Sequence, residues 1–318
     1  MSPRMRAALI RLLSAIPTLF AMSIFVFALI RLVPGDPVRT MLGFRATPDN
    51  IRVVRHGLGL DHSYLRQYWD WITQALLHGN LGADYISGTP VATQLGDALP
   101  VTLELTILAM ALGTLVGVLA GVASAAGRNA AKASSEAASL AGISIPDFWL
   151  GTLLILLFAG TWQLLPPSGY VPLTSDLVQN LRFMALPVLT LAVGEAAYIL
   201  RTTRGAMLET LGAPFIAYHR AKGVAPRRIV YRYALRSAAA PIVTAVGIQF
   251  GVLLGGAIIV ESIFGLPGVG RLVVTAVNQR NYTVVQGCVL VIAALFILVN
   301  LLADLLNSWL DPRIEDAA

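Results

Sequence analysis

FIAYHRAKGVAPRRIVYRYALRSAAAPIV, residues 215–243, is polar and basic yet lies between two long apolar runs. From 201 to 237 the charges are Arg201, Arg204, Arg220, Lys222, Arg227, Arg228, Arg232 and Arg236 against the single acid Glu209. Charge of one sign between apolar runs marks the cytoplasmic side of a membrane protein.

The composition agrees. Of the 318 residues, 56% are hydrophobic and 13% charged, about half the charge of a typical soluble domain. The net charge of +6 collects at the ends of apolar spans with no zinc-finger, RNP or basic-zipper pattern, so it reports orientation and not nucleic-acid binding. The one cysteine, Cys288, falls in an apolar run and reads as a small buried hydrophobe, without a disulfide or a cysteine metal site.

Apolar runs long enough to cross a bilayer fall at Leu12–Leu32, Val101–Ala125, Ala137–Leu164, Met184–Leu200, Ala239–Val260 and Val285–Leu310, predicting an all-α fold of six transmembrane helices. Arg4, Arg6 and Arg11 before the first run make it an uncleaved anchor. An inside amino terminus also puts Arg128, Lys132, the basic loop and the tail Asp311-Pro312-Arg313 inside. The expected organisation is a cytoplasmic start and first span over 1–33, an outer insertion over 34–100, a five-helix core over 101–310 with the loop 201–237, and a cytoplasmic tail over 311–318.

The insertion carries mixed charge, five Arg and six Asp, and its length predicts structure of its own. Thr47 and Pro48 read as a helix cap and first position. A second helix is expected after Asp61, with Leu65, Tyr68, Ile72 and Leu76 as an apolar stripe flanked by Trp69 and Trp71, ended by Gly79-Asn80-Leu81-Gly82. Both a lid over the outer mouth and an interfacial anchor fit this pattern; the length of the insertion favours the lid. Pro146, Pro187 and Pro241 are expected to interrupt their spans.

No G-x-x-x-x-G-K-[ST] loop that would cradle ATP phosphates is present, nor an HExxH or GxSxG pattern. The chain reads as a non-enzyme with no cofactor or metal of its own. Ionisable groups inside the apolar runs stand out, because a charge there must face a cavity or a partner. Asp147 reads as a contact at a kink, Glu195 as a candidate for lining a path, and Asn300 with Asp304, four apart on one face, as hydrogen-bonding glue between helices.

His219-Arg220-Ala221-Lys222-Gly223, followed by Ala234-Leu235-Arg236 and Pro241, resembles the cytoplasmic loop of binding-protein-dependent ABC importer permeases. That family's general form is Glu-Ala-Ala, three residues, then Gly; counting back from Gly223 puts Ala217, Tyr218 and His219 there, and the missing Glu is common in the peptide and nickel branch. LVPGDPV at 32–38, LGLD at 58–61, GNLG at 79–82, SIPDFWLG at 144–151, ESIFGLPGVGRL at 261–272, NYTVVQG at 281–287 and NLLADLLNSWLDPRI at 300–314 extend the likeness almost end to end. Asn80 stands where the family usually has Asp.

The resemblance implies a permease of the bacterial or archaeal plasma membrane that forms half a pathway with a second, usually different, permease. Two ATP-hydrolysing subunits using ATP and Mg, an outer solute-binding protein and membrane lipid complete the set. It implies ATPase coupling through Phe215 and Ala217–Gly223. Pro267, Gly268 and Gly270 read as a tight turn beside Phe264 that, with Glu261, makes an outer gate at the end of the path. Di- or oligopeptides are the expected solutes, with nickel complexes, glutathione or opine-like solutes as the alternative. An autonomous channel or secondary transporter predicts internal repeats and midplane charge relays, and neither is evident.

Overall fold

The computed structural model describes residues 3–32, 36–127 and 129–310. Its longer α-helices are α1 (Pro3–Leu32), α2 (Pro37–Leu42), α3 (Pro48–Gly57), α4 (Tyr64–His78), α5 (Val91–Ala126), α6 (Asn129–Ser144), α7 (Asp147–Leu154), α8 (Leu177–Leu211), α9 (Pro214–Ala221), α10 (Ala239–Phe264), α11 (Val269–Asn278) and α12 (Tyr282–Leu310). Among the described residues no strand forms beyond an isolated bridge, Ala83 with Pro90. Among the described residues four helices, α5, α8, α10 and α12, are long and apolar enough to span a membrane. The bent pair α6 and α7 would make a fifth, and in α1, 30 residues long, the described apolar stretch is Ile16–Ala28.

The third expected span is therefore broken. Its halves, Ser135–Ser144 and Asp147–Thr161, meet at 96°, and the second half ends in a π-helical turn, Ile155–Thr161. Pro146 has no N–H to continue the ladder and disfavours helical geometry at Ile145. Pro187 and Pro241, expected to interrupt as well, do not end their helices. Pro241 lies in the first turn of α10, where no intrahelical acceptor awaits its N–H, and Pro187 is buried inside α8, where packing carries the lost bond.

Two compact units divide the chain. One contains Leu103–Leu266 together with the described residues up to Leu12 and from Phe296 to Leu310. Here α5 lies against α8 through Gly113, Gly117 and Gly121. A β-carbon at each would come within 2.5 Å of Glu195 Cγ, 2.8 Å of the Ala196 carbonyl oxygen and 2.6 Å of Thr203 Cβ, respectively. Three glycines four apart let backbones approach where lipid supplies no hydrophobic drive. Gly247 and Gly251 of α10 admit Ala303 and Phe296 of α12 in the same way. Tyr170 and Asn180 both donate to the Glu104 carboxylate, at 2.8 and 2.6 Å, tying the 162–176 loop and the first turn of α8 to α5. Burial and that bond push the Tyr170 phenol up to about 12.

The other unit contains Leu13–Thr102 with Pro267–Leu295. Thr47 caps α3 by accepting from the Asn50 N–H at 3.3 Å, with Pro48 at the first position. Helix α4 ends at Gly79, φ +62°. Its expected stripe does not all face inward: Ile72 is buried and Tyr68 meets the Ser23 hydroxyl of α1 at 2.8 Å, but Leu65 and Leu76 are exposed. The inward face is Tyr68, Trp71 and Ile72, the aromatic pair packed on Phe27, while Trp69 points out. Four apolar residues at helical spacing cover more of α4 than the face turned to Phe20, Ser23 and Phe27 of α1. Asn80 accepts from the Gly82 N–H at 2.9 Å, an acceptor role an Asp would fill equally. Cys288 is fully buried in an apolar cluster with Val91, Leu95 and Val284.

Candidate functional site

The first site is the loop that opened the sequence. Helix α9 follows α8 after Gly212 and Ala213, with Pro214 at its first position. Ile216 alone of its residues is fully buried, in a cluster with Met207, Ile229 and Ala234, so the helix is anchored along one line. Phe215, Ala217, Tyr218, Arg220, Ala221 and Lys222 are exposed. His219 stacks on Tyr233, ring centroids 4.0 Å apart, and Lys222 Nζ lies 4.4 Å above the Tyr218 ring. Gly223 ends the helix at φ +71°, donating to the Arg220 carbonyl at 2.9 Å. A β-carbon there would meet nothing within 4 Å, so the requirement for glycine is left-handed backbone and not space.

The expected gate residues distribute along the end of α10 and the start of α11. Glu261 and Phe264 are buried at the last turn of α10, and a β-carbon on Gly151 would lie 3.2 Å from the Phe264 ring and 3.4 Å from Thr190. The Phe264 carbonyl accepts from the Gly169 N–H at 2.9 Å. The left-handed turn is at Gly265, φ +67°, and not at Gly268, which is extended. Gly265 was missed in sequence, although a glycine closing an apolar helix is a C-terminal stop signal. Pro267 is exposed, and Gly268 and Gly270 are buried around the start of α11, where the Val269 N–H donates to Thr102 Oγ1 at 2.8 Å.

Two membrane acids that stand far apart in sequence share one cavity. A void of about 390 Å3 is lined by Asp147, Glu195, Tyr198 and Gln249 with Gly194 and Gly256 among its walls, and no Lys or Arg lines it among the described residues. Glu195 is 2% exposed. Its Oε2 accepts from Gln249 Nε2 at 3.2 Å, and its Oε1 has no partner among the described residues. Gly113 makes room for the Glu195 stem. The Asp147 carboxylate sits 3.1 Å from where a β-carbon on Gly256 would be, and 3.9 Å from one on Gly194. Gln249, Gly194 and Gly256 carry no signal in the sequence, since one amide and two glycines in apolar runs are ordinary. Asn300, expected to bond a neighbouring helix, donates instead to the Phe296 carbonyl of its own helix at 2.9 Å, an acceptor that every helix places within reach four residues back. The Asp304 side chain, the side chains of Arg4, Arg6, Arg11 and Lys132, and Pro34, Arg128 and the tail from Asp311 lie outside the described residues.

Comparison with known proteins converges on one family. "Binding-protein-dependent transport system inner membrane component" matches residues 113–316, and the N-terminal part of the membrane component of such systems matches residues 4–106. A probable peptide ABC transporter permease, y4tP of Sinorhizobium fredii, is 38% identical over 96% of this chain and 97% of its own length. The glutathione transport system permease GsiC of Escherichia coli is 39% identical over the same shares. The di/tripeptide permease DppB of Pseudomonas aeruginosa is 38% identical over 94% of this chain and 96% of its own. Among solved structures, a chain of the MetNI methionine ABC transporter in an inward-facing conformation aligns with TM-score 0.57 at 22% identity, over 69% of this chain and 96% of that one, a likeness of fold. With family matches over most of its length and full-length relatives of this identity, the chain belongs to the inner-membrane components of binding-protein-dependent ABC transport systems.

Proposed function

We propose that this permease subunit imports di- or oligopeptides as half of a translocation pathway. The peptide assignment rests on relatives named as peptide permeases; the relative named as a glutathione permease supports a small γ-linked peptide as the alternative solute. In this reading the other half is a second homologous permease, usually a different chain. Two ATPase subunits supply the energy with their own ATP and Mg, and an outer binding protein delivers the solute. Both termini and the 201–237 loop are cytoplasmic, the 34–100 insertion is external, and the chain itself catalyses nothing.

The observation that carries the coupling role is α9, anchored through Ile216 while Phe215, Tyr218 and Arg220 stand exposed and Gly223 turns the chain back. An exposed aromatic and basic helix end is suited to a groove in a partner. Phe264, Glu261 and the turn through Gly265 to Gly270 form the external gate. The test is reconstitution: ATP-driven uptake of a dipeptide into proteoliposomes should require this chain, its partner permease, the ATPases and the binding protein together. Uptake, or ATP hydrolysis, by the purified chain alone would overturn the assignment.

A further inference from the structure

The cavity between α6, α7, α8 and α10 contains two carboxylates and no cation among the described residues. Asp147 and Glu195 line it, Gln249 satisfies one oxygen of Glu195, and the other oxygen has no partner among the described residues although the residue is 2% exposed. Among the described residues no donor or cation reaches Asp147 either, and the walls otherwise offer Tyr198, glycines and aliphatic groups. Carboxylates within a membrane persist where they face a cavity and meet a counter-charge. The lining supplies none, so a cation that enters would meet two carboxylates with no competing counter-charge among the described residues.

Room has been left for it. The volume, about 390 Å3, is many times the roughly 10–15 Å3 one water needs. Gly194 and Gly256 keep the space around the Asp147 carboxylate free of side chains, while Gly113 seats the Glu195 stem so that its head reaches Gln249. The break at Pro146 is what brings Asp147 to this depth, at the start of α7 rather than on the face of a continuous helix.

We infer that this cavity is a subsite for a primary ammonium group, the free α-amine of a peptide in transit, with Asp147 and Glu195 as its counter-charges and Gln249 holding Glu195 in place. An ammonium offers three N–H donors to acceptor-only carboxylates. The inference rests on the import reading above and adds which end of the solute the membrane domain reads.

The test uses the complete complex in nanodiscs without the binding protein, whose own selectivity would mask the effect. Saturation-transfer NMR compares dialanine with N-acetyl-dialanine, which lacks the charge. Wild type should bind dialanine at least tenfold more tightly. Asp147→Asn and Glu195→Gln should each narrow that ratio, and the double variant should abolish it while keeping its thermal unfolding temperature; Asp147→Asn, on a half-buried side chain, keeps the test open if Glu195→Gln misfolds. Equal binding of the two peptides by wild type, binding of neither, or a surviving preference in the double variant would each overturn the amine site. Failure of the import reading would appear separately, as no ATP-driven dialanine uptake by the wild-type complex with its binding protein present.

Discussion

Asn281 donates its side-chain amide to Asp84 Oδ1 at 2.6 Å, joining positions 197 residues apart in sequence. The same carboxylate accepts from the backbone N–H groups of Ile86 and Ser87 at 2.7 and 3.2 Å and from Gln94 Nε2 at 3.1 Å. The turn at 84–89 and the start of α12 are thus held by one side chain. Burial works against its charge, but the bonds from Ile86, Gln94 and Ser87 prevail and hold its pKa below the ordinary value.

A depressed folded-state pKa stabilises the fold at pH values above the unfolded carboxylate pKa, and that contribution is lost as pH falls through the lower folded value. Acidification below about pH 4 should therefore lower the thermal unfolding temperature of wild type more than that of Asp84→Ala. At neutral pH Asp84→Ala should cost about 1–3 kcal/mol by stranding the Asn281 amide and two backbone donors. Denaturation in nanodiscs across pH measures both; identical pH profiles would refute the role given to Asp84.

Gly223→Asp should leave the chain in the membrane and abolish ATP-driven uptake. A left-handed L-residue costs roughly 1–2 kcal/mol, too little to unfold the permease but enough to turn the end of α9 away from a partner. Membrane fractionation, co-purification of the ATPases and uptake are the three measurements, and normal assembly with normal uptake would remove α9 from the coupling role.

A cysteine at Phe264, in a background lacking Cys288, should react slowly with an impermeant thiol reagent at rest. The native ring is 1% exposed and packs beside Gly151 and Thr190. Labelling should accelerate when a hydrolysis-trapped nucleotide state is held, because α10 runs unbroken from Ala239 to Phe264 and can carry a shift along its length. Equal rates in both states would mean that this turn is not the gate.

Gly117→Val should reduce the yield of folded protein, since even a β-carbon would come 2.8 Å from the Ala196 carbonyl oxygen, and backbone cannot rotate aside as a side chain can. Overpacking of this kind costs about 1–3 kcal/mol. Thermal unfolding of the purified variant checks it; an unchanged midpoint would show that α5 and α8 have slack.

The spans are legible in sequence because twenty-odd apolar residues leave little alternative to a helix, and the stops at Gly79 and Gly223 because glycine alone accepts left-handed backbone at no cost. The fate of each proline is not. Pro146, Pro187 and Pro241 look alike in sequence, and only their place in a turn and their neighbours decide which one breaks a helix. Nor can pattern show that Glu195 and Asp147, 48 positions apart by number, share a cavity, or that Gln249 serves one of them. Spacing within a helix predicts which residues share its face, whereas the encounter of three helices depends on the glycines that set their approach.

The break before α7 has one more consequence. A hydropathy plot draws residues 137–164 as an uninterrupted span, yet the first turn of α7 offers amide hydrogens without carbonyls to receive them. Deuterium should therefore enter at Asp147 and Phe148 far sooner than at amides a few residues to either side, so a stretch that reads on paper as one oily span contains a spot where solvent isotope arrives first.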